Sequence, residues 1–118
     1  MKVSDALIEA LKLISERGNW IQGWYAATSD GKQAQAHTRE ACKFCSKGAI
    51  SHVVAMFNVG SDIHAQMEIA LKKTMAGSVL FYNDGKTHSE VIAAWKAGIQ
   101  RQIAKELKDA ALGFSEGS

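Results

Sequence analysis

The chain has 118 residues, which is enough to bury one hydrophobic core and too few for two ordinary domains. Hydrophobic residues make up 47% and charged residues 22% of the chain, a composition that excludes disordered and fibrous proteins. The 14 basic and 12 acidic side chains are spread along the whole sequence, so it lacks the concentrated basic face that binds nucleic acid or an anionic membrane.

The N-terminal segment and the two cysteines indicate the compartment. Asp5 and Glu9 interrupt the first apolar run, so the sequence lacks the core of a signal peptide. No run of about 18 apolar residues could span a membrane. The two cysteines are expected to stay thiols or to bind metal in a reducing compartment. We therefore expect a cytoplasmic protein with no membrane or nucleic-acid partner and no cofactor.

Helical periodicity predicts the first element. Ser4 is a suitable N-cap, and Leu7, Leu11 and Ile14 recur at the spacing of one helical face. The aromatic segment 19–28 contains a glycine and is predicted to be an extended or irregular piece that lies over the core.

A second helix is predicted from Thr38 to about Phe57. At about 100° per residue, Cys45 faces the core, and Cys42 lies about 60° round the same face. Both cysteines therefore fall inside one predicted helix, where they would pack as small hydrophobes. Gly48, one turn beyond Cys45, is predicted to let another helix or the aromatic segment approach closely.

Two elements are predicted between residues 61 and 85. Asp62 is a suitable cap for a third helix, whose apolar stripe continues to Met75. The apolar run 78–82 is predicted to be a short strand that pairs with residues 22–26. Residues 83–85, Asn-Asp-Gly, are predicted to form a turn.

The last helix is predicted over about residues 87–112. Thr87 and Glu90 have the spacing of a capping box, in which each side chain accepts a hydrogen bond from the backbone amide of the other. The apolar stripe of this helix continues past the part that the domain can cover, through Ile103, Leu107 and Ala110.

These elements predict a mainly α fold. It is one small domain of about four helices over residues 1–113, with a minor two-stranded β element as an option, a last helix long enough to protrude, and a flexible tail at 114–118. The predicted core residues are Leu11, Ile14, Cys45, Ala49, Met56, Leu71, Ile92, Trp95 and Ile99.

Residues 20–23, 44–50 and 82–92 together carry a resemblance to a known family. They resemble a family of small bacterial and bacteriophage proteins catalogued as a domain of unknown function. Its pattern is aromatic-Cys-x-x-Gly-Ala, then aromatic-Asn-Asp, then Thr-x-x-Glu-Val. The resemblance covers about residues 7–99 and implies a mainly helical fold and a prokaryotic or phage setting, but no activity. Cys42 has no counterpart in the pattern.

A zinc site is one hypothesis for Cys42, Cys45 and His52. Together with His88 or His64 they would supply the four nitrogen and sulfur ligands of tetrahedral zinc. The predicted helix argues against this site, because structural zinc sites usually take a C-x-x-C pair from a turn. We favour packed thiols, and we expect His52 to bond a backbone carbonyl.

A pocket is another hypothesis. The catalytic candidates are Cys45 as a nucleophile, His88 as its base and Asp84 as an orienting group. In the predicted helix Cys45 lies about two turns from the N-terminal amides, too far for them to lower its thiol pKa much. The candidates for binding a ligand are Trp20, Gln22, Asn83 and Asp84.

The functional hypothesis ranked first is a phage- or prophage-related accessory protein that acts by protein–protein interaction. The sequence shows no convincing catalytic constellation and no phosphate-binding loop. The candidates for partner binding are Ile103, Leu107 and Ala110, and the partner is another protein or a second copy of the chain. A small enzyme or ligand-binding protein and a zinc-stabilised module are the alternatives.

Overall fold

The computed structural model describes residues 1–117, and the side chains of residues 1–112. The protein is 63% helical, so the mainly α prediction is confirmed. A 3-10 turn at Arg17–Asn19 follows the first helix. The helices are α1 Val3–Ile14, α2 Ser46–Phe57, α3 Ser61–Lys72, α4 Val79–Gly85 and α5 His88–Gly117, and the strands are β1 Ala26–Ala27, β2 Gln33–Ala34 and β3 Lys43–Phe44.

The strands form a small antiparallel sheet in the order β2-β1-β3. Ala26 pairs with Ala34 on one side and with Phe44 on the other. The predicted pairing of residues 22–26 with 78–82 is wrong, because the second of these runs lies mostly in α4. Ser78 caps that helix by accepting a hydrogen bond from Phe81 N, and the predicted turn at 83–85 forms its last residues.

The second helix begins at Ser46, well after the predicted cap at Thr38. The residues before it turn into β3, and Cys42 N donates to Ala27 O at 2.9 Å. The prediction that both cysteines lie inside one helix is therefore wrong. Cys42 precedes β3, and Cys45 is the N-cap of α2. The helical pattern predicted that this backbone would form hydrogen bonds within a helix. Its N–H and C=O groups instead find partners in β1, which is distant in sequence.

The core lies between the helices and the inner face of the sheet. Trp95, Phe44, Leu7 and Ile50 are among its largest fully buried side chains. Six of the nine predicted core residues are buried: Ile14, Cys45, Ala49, Leu71, Trp95 and Ile99. Leu11 and Ile92 are half-buried and pack against the core. Met56 is 46% exposed, so its assignment to the core is wrong.

The helix starts agree with the sequence at α5 and differ at α1 and α3. The Thr87 amide donates to Glu90 Oε1 at 3.1 Å, and the Glu90 amide donates to Thr87 Oγ1 at 3.3 Å, which confirms the capping box. Lys2 is the N-cap of α1 and Gly60 that of α3, so the predicted caps Ser4 and Asp62 are wrong. Both of those residues lie inside the first turn of their helices.

The last helix spans 30 residues, about 45 Å at a rise of about 1.5 Å per residue. The flexible tail is predicted at residues 114–118. The side chains of these residues and the backbone of residue 118 lie outside the described part of the chain, so the flexibility of the tail stays a prediction. Among residues 1–117, no helix is both long enough and apolar enough to cross a membrane.

Candidate functional site

A buried polar network lies where α2, α4, α5 and the aromatic segment meet. At its centre is Asn83, which is fully buried in α4. Asn83 Oδ1 accepts hydrogen bonds from Trp20 Nε1 at 2.8 Å, from Ser46 N at 2.9 Å and from Ser46 Oγ at 2.8 Å. Ser46 Oγ accepts a further bond from Trp95 Nε1 at 2.9 Å. One amide group therefore ties α4 directly to α2 and the aromatic segment, and through Ser46 to α5.

The nitrogen of the Asn83 amide also donates two hydrogen bonds. Asn83 Nδ2 donates to Ile21 O at 3.1 Å and to Asp84 Oδ1 at 3.2 Å. Within the described side chains, every buried nitrogen and oxygen atom has a hydrogen-bond partner. Asn83, predicted as a ligand-binding residue, is thus committed to holding the fold together.

The Gln22 side chain closes the C-terminal end of α4. Its Nε2 group donates to the carbonyl oxygens of Asn83, Asp84 and Lys86 at 3.0, 3.1 and 3.0 Å. The Gly23 amide donates to Asp84 Oδ1 at 3.1 Å. Carbonyls at the end of a helix have no partner within it, so these contacts supply partners that the helix lacks.

A cleft of about 690 Å³ opens on the outer side of this network. Trp20, Gln22, Asp84 and His88 line it, together with Arg17 and other residues around the start of α5. The structure therefore brings together three of the four predicted ligand-binding residues and two of the three catalytic candidates. His88 Nε2 bonds Ile14 O at 2.7 Å, which holds the imidazole ring 5.3 Å from the Trp20 ring.

Cys45 is not among the residues that line this cleft. It is 1% exposed, and its sulfur accepts a hydrogen bond from Gly48 N at 3.3 Å as the cap of α2. Burial raises the pKa of the Cys45 thiol, and the backbone hydrogen bonds at the start of α2 only partly offset this effect. A neutral, enclosed thiol is poorly suited to act as a nucleophile. The structure thus buries Cys45 outside the lining of the cleft that His88 borders.

The residues proposed for zinc are engaged separately. Cys42 is exposed, and its thiol donates to Glu40 O at 3.3 Å. His52 Nδ1 bonds Ala36 O at 2.7 Å, so the expected bond to a backbone carbonyl is confirmed. In the part of the chain that the structure describes, no cluster of three or more His, Cys, Asp or Glu residues could hold a metal ion.

The packing interpretation of Gly48 is confirmed. A Cβ atom at this position would lie 1.7 Å from Tyr25 O, so only glycine lets the aromatic segment lie against α2. Tyr25 O also accepts a hydrogen bond from Cys45 N at 3.1 Å. The segment is therefore anchored to the first turn of α2.

The three predicted partner-binding residues lie together on α5. Ile103, Leu107 and Ala110 line a groove of about 290 Å³ with Ile8 of α1, and the remaining lining of this groove is polar. Leu107 is 68% exposed, Ile103 38% and Ile8 37%. We call these four residues the α5 strip. Ile8 was not predicted as part of it, because only the packing of α1 on α5 brings the two helices together.

Beside the α5 strip, a polar contact joins the two ends of the chain. Glu106 accepts hydrogen bonds from Ser4 N at 3.0 Å, from the Ser4 hydroxyl, and from Gln102 Nε2 at 2.9 Å. Burial alone would raise the pKa of Glu106, but the hydrogen bonds from Ser4 and Gln102 outweigh it and hold the pKa below its usual value. The sequence did not predict the contact of Glu106 with Ser4 or the role of Ser46 in the buried polar network, because no local signal links residues this far apart in the chain.

Comparison with known proteins places the chain in a family. A search of the curated proteins and a search of the solved structures found no match. The match to a family profile spans residues 1–101 and so includes the aromatic segment, the start of α2 and the capping box of α5. The chain belongs to the family of unknown function DUF6197, which confirms the resemblance seen in its sequence.

Proposed function

We propose that this chain is an accessory protein that acts by binding another protein through the α5 strip. The observation that carries the proposal is the exposure of Leu107, which is 68% accessible on the 30-residue helix α5.

The geometry of the α5 strip suits a helix as its occupant. Ile103, Leu107 and Ala110 recur at i, i+4 and i+7, a spacing that spans about 10.5 Å along the axis. Complete burial of a fully exposed leucine or isoleucine side chain contributes about 1.5–3 kcal/mol, and Leu107, at 68% exposed, would gain a larger share of this than Ile103, at 38%. Ile8 adds a contact from α1, so the partner would touch both helices.

The state of Cys45 supports a binding protein over a thiol enzyme. Its thiol is buried, has a raised pKa and caps a helix. The phage or prophage context of this proposal comes from the family resemblance. A cytoplasmic location agrees with the two cysteines, which are both free.

A matched pair of variants tests the proposal. Leu107→Glu places a charge on the α5 strip. Leu112→Glu makes the same change at a residue that is 53% exposed and lies about 140° round the helix. We expect a partner captured from the bacterial host to be retained by the wild-type protein and by Leu112→Glu, and to be lost by Leu107→Glu. Reconstitution with the purified partner must reproduce this order.

Sedimentation velocity provides the second measurement. Self-association of the wild type that Leu107→Glu alone abolishes would identify the partner as a second copy. The proposal fails if the protein is monomeric and no captured protein distinguishes the two variants.

Ligand binding in the cleft beside Asn83 is the second candidate function. The grouping of Trp20, Gln22, Asp84 and His88 favours it. Native mass spectrometry of the purified protein tests it, because a bound small molecule adds its mass to each chain. A bare chain, with no increase in thermal stability from metabolite mixtures, would count against this candidate.

A further inference from the structure

A second cleft, of about 640 Å³, opens beside the sheet where the pairing of β1 with β2 ends. The last paired residues are Ala26 and Ala34. Beyond them, residues 23–25 and residues 35–36 border the cleft from two sides. Because Tyr25 O is anchored against Cys45 and Gly48, the position of the first segment is fixed by α2. The cleft is therefore built into the backbone.

Two aromatic residues and two residues with amide side chains line this cleft. Trp24 is 45% exposed and Tyr25 47% exposed, so two adjacent large rings remain in contact with water. Gln33 and Gln35 are also exposed. Gln33 lies in β2 and Gln35 directly follows that strand, and both residues line the cleft. Among the described residues, none of those that line the cleft carries a charge.

We propose that this cleft binds a neutral carbohydrate. A sugar ring has one face of C–H groups, which packs on an aromatic ring, and hydroxyl groups that both donate and accept hydrogen bonds. The amides of Gln33 and Gln35 also donate and accept, so they match hydroxyl groups in either role. A phosphate or carboxylate ligand would lose its hydration here without gaining a cationic partner.

Exposed tryptophan and tyrosine side chains also occur at protein interfaces, where they pack in closely fitting and largely desolvated patches. Here the remaining lining is Gly23, Ala34 and Ala36, whose small side chains leave a concave volume. A compact ring with many hydroxyl groups fills such a volume better than a flat protein surface. This inference is independent of the α5 strip, since the two surfaces share no residue.

Titration calorimetry with three neutral trisaccharides tests the proposal: maltotriose, cellotriose and triacetylchitotriose. Each is raised to about 10 mM, because an open site of this kind is expected to have a Kd of about 1 mM. We expect at least one of them to bind. Trp24→Ala should weaken that binding by about tenfold or more, a loss of about 1.4 kcal/mol.

The matched control is Phe81→Ala, which removes a ring that is 78% exposed on α4 and outside the cleft. It should leave the affinity unchanged. Gln35→Ala keeps both rings and should also weaken binding, and thermal unfolding of each variant checks that it is folded. The proposal is overturned if no trisaccharide binds, if Trp24→Ala binds like the wild type, or if Phe81→Ala weakens binding equally. Binding of a neutral peptide in place of all three sugars would assign the cleft to a protein partner.

Discussion

At the scale of single residues, the Asn83 amide is expected to contribute substantially to stability. Asn83→Ala leaves Trp20 Nε1 and the Ser46 amide without their acceptor, and each unsatisfied buried donor costs about 1–3 kcal/mol. We expect the free energy of unfolding to fall by about 3 kcal/mol in urea titrations. Gln22→Ala removes a donor that water can replace at the carbonyl oxygens. The free energy of unfolding should therefore fall by only about 1 kcal/mol. Equal losses in the two variants would contradict the structural role of Asn83.

At the scale of elements, the contact between the aromatic segment and α2 depends on Gly48. In Gly48→Ala the new Cβ would lie 1.7 Å from Tyr25 O, so the segment or the helix must shift. Overpacking of this kind costs about 1–3 kcal/mol, and the higher helix propensity of alanine recovers about 1 kcal/mol at most. The clash is with a backbone oxygen, so the cost lies toward the upper end of this range, and we expect a net loss of up to about 2 kcal/mol, measured by urea unfolding.

The control for this contact is Gly85→Ala at the end of α4. No atom lies within 4 Å of the Cβ that this change would add. Its stability should therefore remain within about 0.5 kcal/mol of the wild type. A fully stable Gly48→Ala protein would show that the aromatic segment does not rest on α2.

At the scale of the whole molecule, Glu106 joins α5 to the start of α1. The folded pKa of Glu106 lies below its usual value, so its contribution to stability is fully present above the unfolded pKa and is lost as the pH falls through the folded pKa. Glu106→Gln keeps the shape and removes the charge. We expect it to lose about 1 kcal/mol at pH 7, because the contact is only partly buried, and the difference from the wild type should vanish in acid.

Urea midpoints at neutral pH and at a pH below the folded pKa of Glu106 measure this effect. Asp109→Asn is the control, since it removes the partner of Lys105 in an ion pair whose side chains are 57% and 58% exposed. Such a pair contributes about 0.5 kcal/mol or less. If the Glu106→Gln difference persists unchanged in acid, the carboxylate is not what joins the two helices.

The sequence by itself determined the features that depend on a few neighbouring residues. Apolar spacing places α1 and α3 close to their observed positions, and Thr87 and Glu90 form the predicted capping box. The small residues Gly48 and Ala49 beside Cys45 predict a close approach of another segment, which the contact of Gly48 with Tyr25 O confirms. These signals act within about one helical turn, so they need no knowledge of the rest of the chain.

The tertiary structure decided the remaining features, because they depend on contacts between residues that are far apart in sequence. Helical spacing assigned Cys42 and Cys45 to one helix, but pairing of β3 with β1 makes Cys45 a cap instead. The same long-range packing gives Asn83 its three donors to Oδ1 and places Ile8 beside Leu107. A local pattern records which residues prefer a helix or a strand, whereas only the packed chain shows which backbone groups find partners elsewhere.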